Sequence, residues 1–193
     1  RKESSAASDV YKRQPYNSVL IYHGTGTGKT CSAISIAENY RDVYHRKGKR
    51  IIILSSGNIK QGWYNNIYNP KKIEDQCTGS TYKYLGKDLE DTKMKRDKLI
   101  KKYYEFFGYL EFANRIKEIY ENDKGNFEYR INKLYSDRVL IIDEAHNIRG
   151  DGKEKSDDNI KYIKLLLKNT RNLKLILLSA CLLYTSDAAD DSL

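Results

Sequence analysis

The sequence predicts an α/β domain in three layers, a mainly parallel sheet between helices, with a helical insertion. Three observations predict it. Short apolar runs recur along the chain, stretches of helical periodicity separate them, and a glycine-rich turn follows the first run.

Residues 18–22 (SVLIY) form an apolar run ending at glycines, which reads as a buried parallel strand. A helix follows over residues 29–40, where Cys31, Ala33, Ile34, Ala37 and Tyr40 recur at three- and four-residue steps. Residues 50–55 (RIIILS) read as a second buried strand, with Gly57 and Asn58 opening a loop and a helix over 59–68. Strand, helix, strand in that order is a βαβ unit, which favours a right-handed crossover and a parallel sheet. From about 81 to 135 the pattern changes. Residues 91–104, 106–120 and 127–134 read as helical pieces of an insertion packed on one side of the sheet. Residues 139–142 (VLII) and 173–178 (LKLILL) return to buried-strand character, with Asp157 or Asp158 capping a helix to about Lys168 between them.

With 193 residues, 39% hydrophobic and 32% charged, the chain supports one such domain and is too short for two. No run approaches the length of a membrane span, and no segment reads as a signal peptide. Three cysteines without framework spacing argue for a reducing, intracellular setting, and Cys31 and Cys77 read as packing residues.

The two ends stand apart. Residues 4–14 (SSAASDVYKRQ) and 181–190 (CLLYTSDAAD) can be encoded by opposite strands of one DNA sequence, which resembles a transposon-based sequencing adaptor. Natural termini have no reason to be antisense copies of each other. Residues 1–14 and 181–193 are therefore expected to be adaptor-derived and to make few tertiary contacts, leaving 15–180 as the functional domain. The formal net charge is +9, and 15–180 is more basic still, since the excluded tail carries Asp187, Asp190 and Asp191. That balance suits a polyanionic partner.

Two motifs carry the chemistry. His23-Gly24-Thr25-Gly26-Thr27-Gly28-Lys29-Thr30 lies between a strand and a helix. Its glycines permit positive φ, so successive N–H groups and the helix N-terminus converge on phosphate oxygens. Lys29 supplies a point charge to the β- and γ-phosphates of ATP, and the Thr30 hydroxyl suits Mg²⁺. His23 stands where the strict pattern has glycine, but the core from Gly26 to Thr30 is complete. The second motif, Asp143-Glu144-Ala145-His146, ends an apolar strand. Asp143 is assigned to the metal through water, Glu144 to orienting or deprotonating the attacking water, and His146 to coupling. The strands of these two motifs are expected side by side, with Lys29 and Asp143 facing one cleft.

GTGKT (26–30), DEAHN (143–147) and LLSA (177–180), in this order, resemble the first RecA-like lobe of superfamily-two helicases of the DEAH type. That family's third motif is Ser-Ala-Thr; Cys181 replaces the threonine, so only Ser179 carries the implied coupling role. YHGTGTGKTCSAISIAE (22–38), QCTG (76–79), residues 112–114 and VLIIDEAHNIR (139–149) resemble more closely the helicases of giant and pox-like DNA viruses. This branch includes the early transcription factor small subunit and related nucleoside triphosphatases. The resemblance implies ATP and Mg²⁺ as cofactors, DNA or RNA as partner, and a second RecA-like lobe absent from this chain. It also implies contact with transcription machinery and a setting in the cytoplasm, viral factory or virion. The rival readings are an ATPase of a viral transcription factor and a protein-remodelling ATPase that unwinds nothing. Residues 56–63 (SGNIKQGW) lie where such enzymes touch the nucleic-acid strand, so Lys60, Gln61 and Trp63 are candidates to contact phosphate or stack on a base. His45 among Arg41, Arg46, Lys47 and Arg50 reads as a solvated basic loop, and the lysine run at 93–102 as a wet helix face.

Overall fold

The structure, a computed structural model, describes residues 17–22, 24, 26, 28–71, 76–85, 93–148 and 154–180. The two adaptor-like ends lie outside them, as do His23, Thr25 and Thr27 of the glycine-rich loop.

Among the described residues five strands form one sheet: β1 (Ser18–Tyr22), β2 (Ile51–Leu54), β3 (Tyr104–Phe107), β4 (Arg138–Ile142) and β5 (Leu173–Ser179). Every pairing is parallel, in the order β1-β5-β4-β2-β3. The helices are α1 (Lys29–Arg46), α2 (Lys60–Ile67), α3 (Thr81–Leu85), α4 (Lys93–Tyr103), α5 (Tyr109–Asn122), α6 (Phe127–Tyr135) and α7 (Glu154–Asn169). This is the α/β, RecA-like lobe that the sequence predicts.

Side chains alternate across each strand, so every central strand feeds two cores. Ile51, Ile53, Val139, Ile141, Ile176 and Leu178 point to the face covered by α1 to α4. Ile52, Leu54, Leu140, Ile142 and Leu173 point to the face covered by α5 to α7. The central strands β2 and β4 are buried along their whole length, which explains their continuous apolar runs.

The sheet is parallel as the βαβ unit implies, although β5 and β4 lie between β1 and β2. Several expectations are corrected. Strand β1 is parallel but sits at the sheet edge, with Leu20 and Tyr22 49% and 45% exposed. The insertion is neither wholly helical nor one-sided. Tyr104–Phe107 (YEFF) forms edge strand β3, α3 and α4 pack on one face, and α5 and α6 pack on the other. Aromatic residues in 104–107 favour a pleated, half-buried surface. Gly108, in extended backbone, then ends the strand and caps α5 with its N–H donated to Glu111 Oε2 at 3.3 Å. Helix α7 begins at Glu154, ahead of the expected Asp157 or Asp158 cap. Helix α1 runs on to Arg46, so Arg41 and His45 are helical rather than loop residues.

The other edge is bound by charge. Buried Arg138 donates to the Arg50 carbonyl at 2.8 Å and pairs with Glu105 of β3 at 2.7 Å. The expected wet face of α4 stands, with Lys98, Lys101 and Lys102 exposed. Among the described residues no helix is long and apolar enough to cross a membrane.

Candidate functional site

The segments that follow the carboxyl ends of β1 and β4 line one cleft of about 390 Å³. It is lined by Gly26, Gly28, Lys29 and Thr30 on one side and Trp63, Asp143 and Glu144 on the other. In open α/β sheets, ligands bind at this end of the strands.

The loop gets its shape from two glycines. Gly26 and Gly28 hold φ of 78° and 86°, a left-handed conformation that L side chains rarely adopt. A Cβ at either would meet no atom of the described residues within 4 Å, so the backbone conformation is what calls for glycine there. Gly28 caps α1, whose first turn carries Lys29 and Thr30. Lys29 is only 9% exposed, and its ammonium donates to the Gly24 carbonyl at 2.9 Å. The cation is thereby held over its own loop.

Opposite it stands Asp143, whose N–H bonds the Leu54 carbonyl at 2.9 Å. Its Oδ1 accepts the Glu144 N–H at 3.0 Å, and its Oδ2 accepts the Trp63 Nε1–H, also at 3.0 Å. The Tyr109 hydroxyl donates to its carbonyl. Burial pushes the Asp143 carboxyl above its ordinary range; the Trp63 hydrogen bond opposes this, Glu144 adds to it and Lys29 counters it.

Glu144 adopts φ of 47°, left-handed for a residue with a Cβ. Its Oε2 lies 3.3 Å from His146 Nδ1, but both atoms are buried without a hydrogen-bond partner among the described residues. The contact has ion-pair distance without hydrogen-bond geometry, and the second observation decides what is at hand: an unsatisfied carboxylate oxygen beside the cleft.

A Mg²⁺–nucleotide fits these residues. Gly26 and Gly28 hold the loop in a left-handed backbone, and Lys29, Thr30, Asp143 and Glu144 line the same cleft. No cluster of three or more His, Cys, Asp or Glu converges among the described residues. The Thr30 hydroxyl and the Asp143 carboxylate on the cleft are hard oxygen donors of the kind Mg²⁺ takes alongside phosphates and water.

The expectation of one cleft for Lys29 and Asp143 agrees with this geometry, but the strands of the two motifs are not neighbours. β5 lies between them, pairing Tyr22 with Ser179 and Ile142 with Leu177. Ser179, 1% exposed, therefore ends between the two motifs. The turn at Ala145–Ile148, which carries His146, touches β5.

The expected nucleic-acid contacts divide. Lys60 and Gln61 are exposed; the Lys60 ammonium stands 5.7 Å from the Phe106 ring centre, and Gln61 donates to Asn65 at 3.2 Å. Trp63 is 2% exposed and offers no ring face to a base. Trp63, Tyr64 and Ile67 make the buried side of a short helix.

Sequence reasoning also missed a second assembly. Cys31 and Cys77, taken for packing residues, form a disulfide with Cα atoms 4.8 Å apart. Further along α1, half-buried Glu38 accepts hydroxyl hydrogen bonds from Tyr82 and Tyr104 and pairs with Arg41. Arg41 in turn stacks over Tyr82 and Tyr103. Spacing in sequence carries no signal for such pairs, whose members lie far apart along the chain.

A family model described as Type III restriction enzyme, res subunit, matches residues 3–182. The chain is also similar to a provisionally named ATP-dependent RNA helicase of Acanthamoeba polyphaga mimivirus, at 31% identity over 86% of this chain and 16% of the relative. A provisionally named helicase of Invertebrate iridescent virus 3 is 31% identical over 69% of this chain and 13% of its own length. A second mimivirus protein, also provisionally named an ATP-dependent RNA helicase, is 30% identical over 74% and 23%. The chain thus spans between 13% and 23% of the length of these curated relatives.

Proposed function

Because the chain belongs to the helicase family described as Type III restriction enzyme, res subunit, we propose that it is the ATP-binding lobe of an ATP-dependent nucleic-acid helicase or translocase. The observation that carries this reading is the shared cleft, where Lys29 and Thr30 of the glycine-rich loop face Asp143 and Glu144. ATP lies on the loop at residues 23–30, with Lys29 against its β- and γ-phosphates. The Thr30 hydroxyl and Asp143 hold Mg²⁺, whose chemistry is to neutralise charge developing on the phosphates. Glu144 orients and deprotonates the attacking water for in-line transfer.

His146 and Ser179 couple that step to movement. The support is positional: the His146 turn packs on β5, and Ser179 ends β5 beside the last residue of β1. In the longer protein a second lobe closes over the nucleotide. Lys60 and Gln61 touch the nucleic-acid backbone, and the names of two relatives favour RNA. The viral origin of the relatives supports a setting in an infected cell; contact with transcription machinery is proposed on the sequence resemblance alone.

Calorimetric titration with Mg²⁺-ATP tests the site. Binding is expected in this chain and lost in Lys29→Ala with an unchanged circular dichroism spectrum; equal binding by both would overturn it. ATPase assays on a full-length relative test the rest. Stimulation by DNA or RNA is expected, whereas indifference to both would favour the protein-remodelling ATPase.

A further inference from the structure

Trp63 is the single tryptophan of the chain, and it sits at the nucleotide cleft rather than on the nucleic-acid surface. Its indole N–H donates to Asp143 Oδ2 at 3.0 Å across 80 residues of sequence. A buried indole N–H needs an acceptor, but a backbone carbonyl would serve without bringing a carboxylate into the interior. Here the acceptor is the side chain whose other oxygen is already held by the Glu144 N–H. The Asp143 backbone is fixed as well, by Leu54 and Tyr109. Each oxygen of the carboxylate thus has one donor, which sets its plane and leaves its remaining lone pairs to the cleft.

We propose that Trp63 is a positioning residue for the metal–nucleotide site, orienting the Asp143 carboxylate toward Mg²⁺ and tying α2 to it. Trp63 acts through Asp143 and need not touch the nucleotide. Helix α2 begins with the exposed Lys60 and Gln61, so the same short helix presents polar groups outward and holds the metal-side carboxylate inward. The proposal rests on the ATP-site reading above and adds to it the residue that fixes its acidic half. Outer partners of metal-side groups commonly change metal affinity by about 10–100-fold when removed.

The test removes the N–H and keeps the shape. In Trp63→Phe the metal-free affinity for ATP, measured in EDTA, is expected to stay within about twofold of the parent. The Mg²⁺ concentration needed for half-maximal enhancement of ATP binding is expected to rise roughly 10–100-fold. A purely structural tryptophan would lower the melting temperature and leave the Mg²⁺ requirement unchanged, and that result overturns the proposal. In an Asp143→Asn background, Trp63→Phe is expected to add nothing to the Mg²⁺ requirement; additive effects would overturn it.

If Trp63→Phe does not fold, the sulfur isostere benzothienylalanine serves in its place, since one tryptophan makes its incorporation site-specific. An unshifted Mg²⁺ requirement in the isostere overturns the proposal equally. Intrinsic fluorescence supplies an independent readout in the parent chain. Mg²⁺ added to the ATP-bound chain is expected to change Trp63 emission, and Asp143→Asn is expected to abolish the change; a response that survives in Asp143→Asn counts against the proposal. If the parent binds no ATP, or Lys29→Ala binds it equally well, the nucleotide site itself has failed. If only the Trp63 arms show no effect, the site stands and the positioning role falls.

Discussion

Glu144 occupies a left-handed backbone conformation, φ 47°, beside the ionisable Asp143. Asp137 and Asn172 also have positive φ, but their short polar side chains suit it; a glutamate there costs about 1–2 kcal/mol. Glu144→Gly relieves that strain and the repulsion of Asp143, against about 0.5–1 kcal/mol of extra chain entropy in the unfolded state. The expected outcome is a melting temperature higher by roughly 2 °C in calorimetry, together with loss of turnover in the full-length protein. Glu144→Gln there is expected to keep ATP binding and lower kcat by about 10²–10⁴. A variant of either kind with full turnover would remove Glu144 from the reaction.

At the scale of elements, α1 is the helix that positions Lys29 and Thr30, and it is tied to the insertion at two levels. The Cys31–Cys77 disulfide joins its first turn to the segment before α3, and Glu38 receives Tyr82 and Tyr104 further along. Burial raises the Glu38 carboxyl above its ordinary range, with Arg41 opposing. A cross-link spanning 46 residues restricts the unfolded chain by about 4 kcal/mol in the loop-entropy account. A thiol reductant is therefore expected to lower the melting temperature by roughly 10 °C. The doubly substituted Cys31→Ser, Cys77→Ser chain is expected to melt at the lower temperature and to ignore the reductant. Identical melting of the parent with and without reductant would show that the cross-link contributes nothing.

The whole molecule is basic, +9 in formal charge, with its cleft lined by the glycine-rich loop and by Asp143 and Glu144. Binding to a single-stranded oligonucleotide is expected to weaken steeply with salt, and Lys60→Ala is expected to reduce the log–log slope by about one. An unchanged slope would take Lys60 off the backbone path. The chain by itself is expected to bind Mg²⁺-ATP yet hardly hydrolyse it. The proposed second lobe would contribute arginines worth roughly 10³–10⁵ in rate, about 4–7 kcal/mol of barrier. Turnover by this chain above about one per second, within the ordinary range for complete enzymes, would show that the lobe needs no partner.

What the residues determined alone is local. Gly26 and Gly28 specify the loop because φ is a property of single residues, and unbroken apolar runs specify β2 and β4 because a strand covered on both faces needs no polar side. Aromatic runs are harder: 104 closes one helix candidate and 106–107 open the next, whereas the structure makes 104–107 an edge strand, since short apolar segments suit either period. Only the tertiary structure decided that β5 separates the two motif strands, that the insertion straddles the sheet, and that Trp63 turns inward to Asp143. Those choices depend on which distant surfaces bury one another, and neither periodicity nor spacing along the chain encodes which surface will meet which.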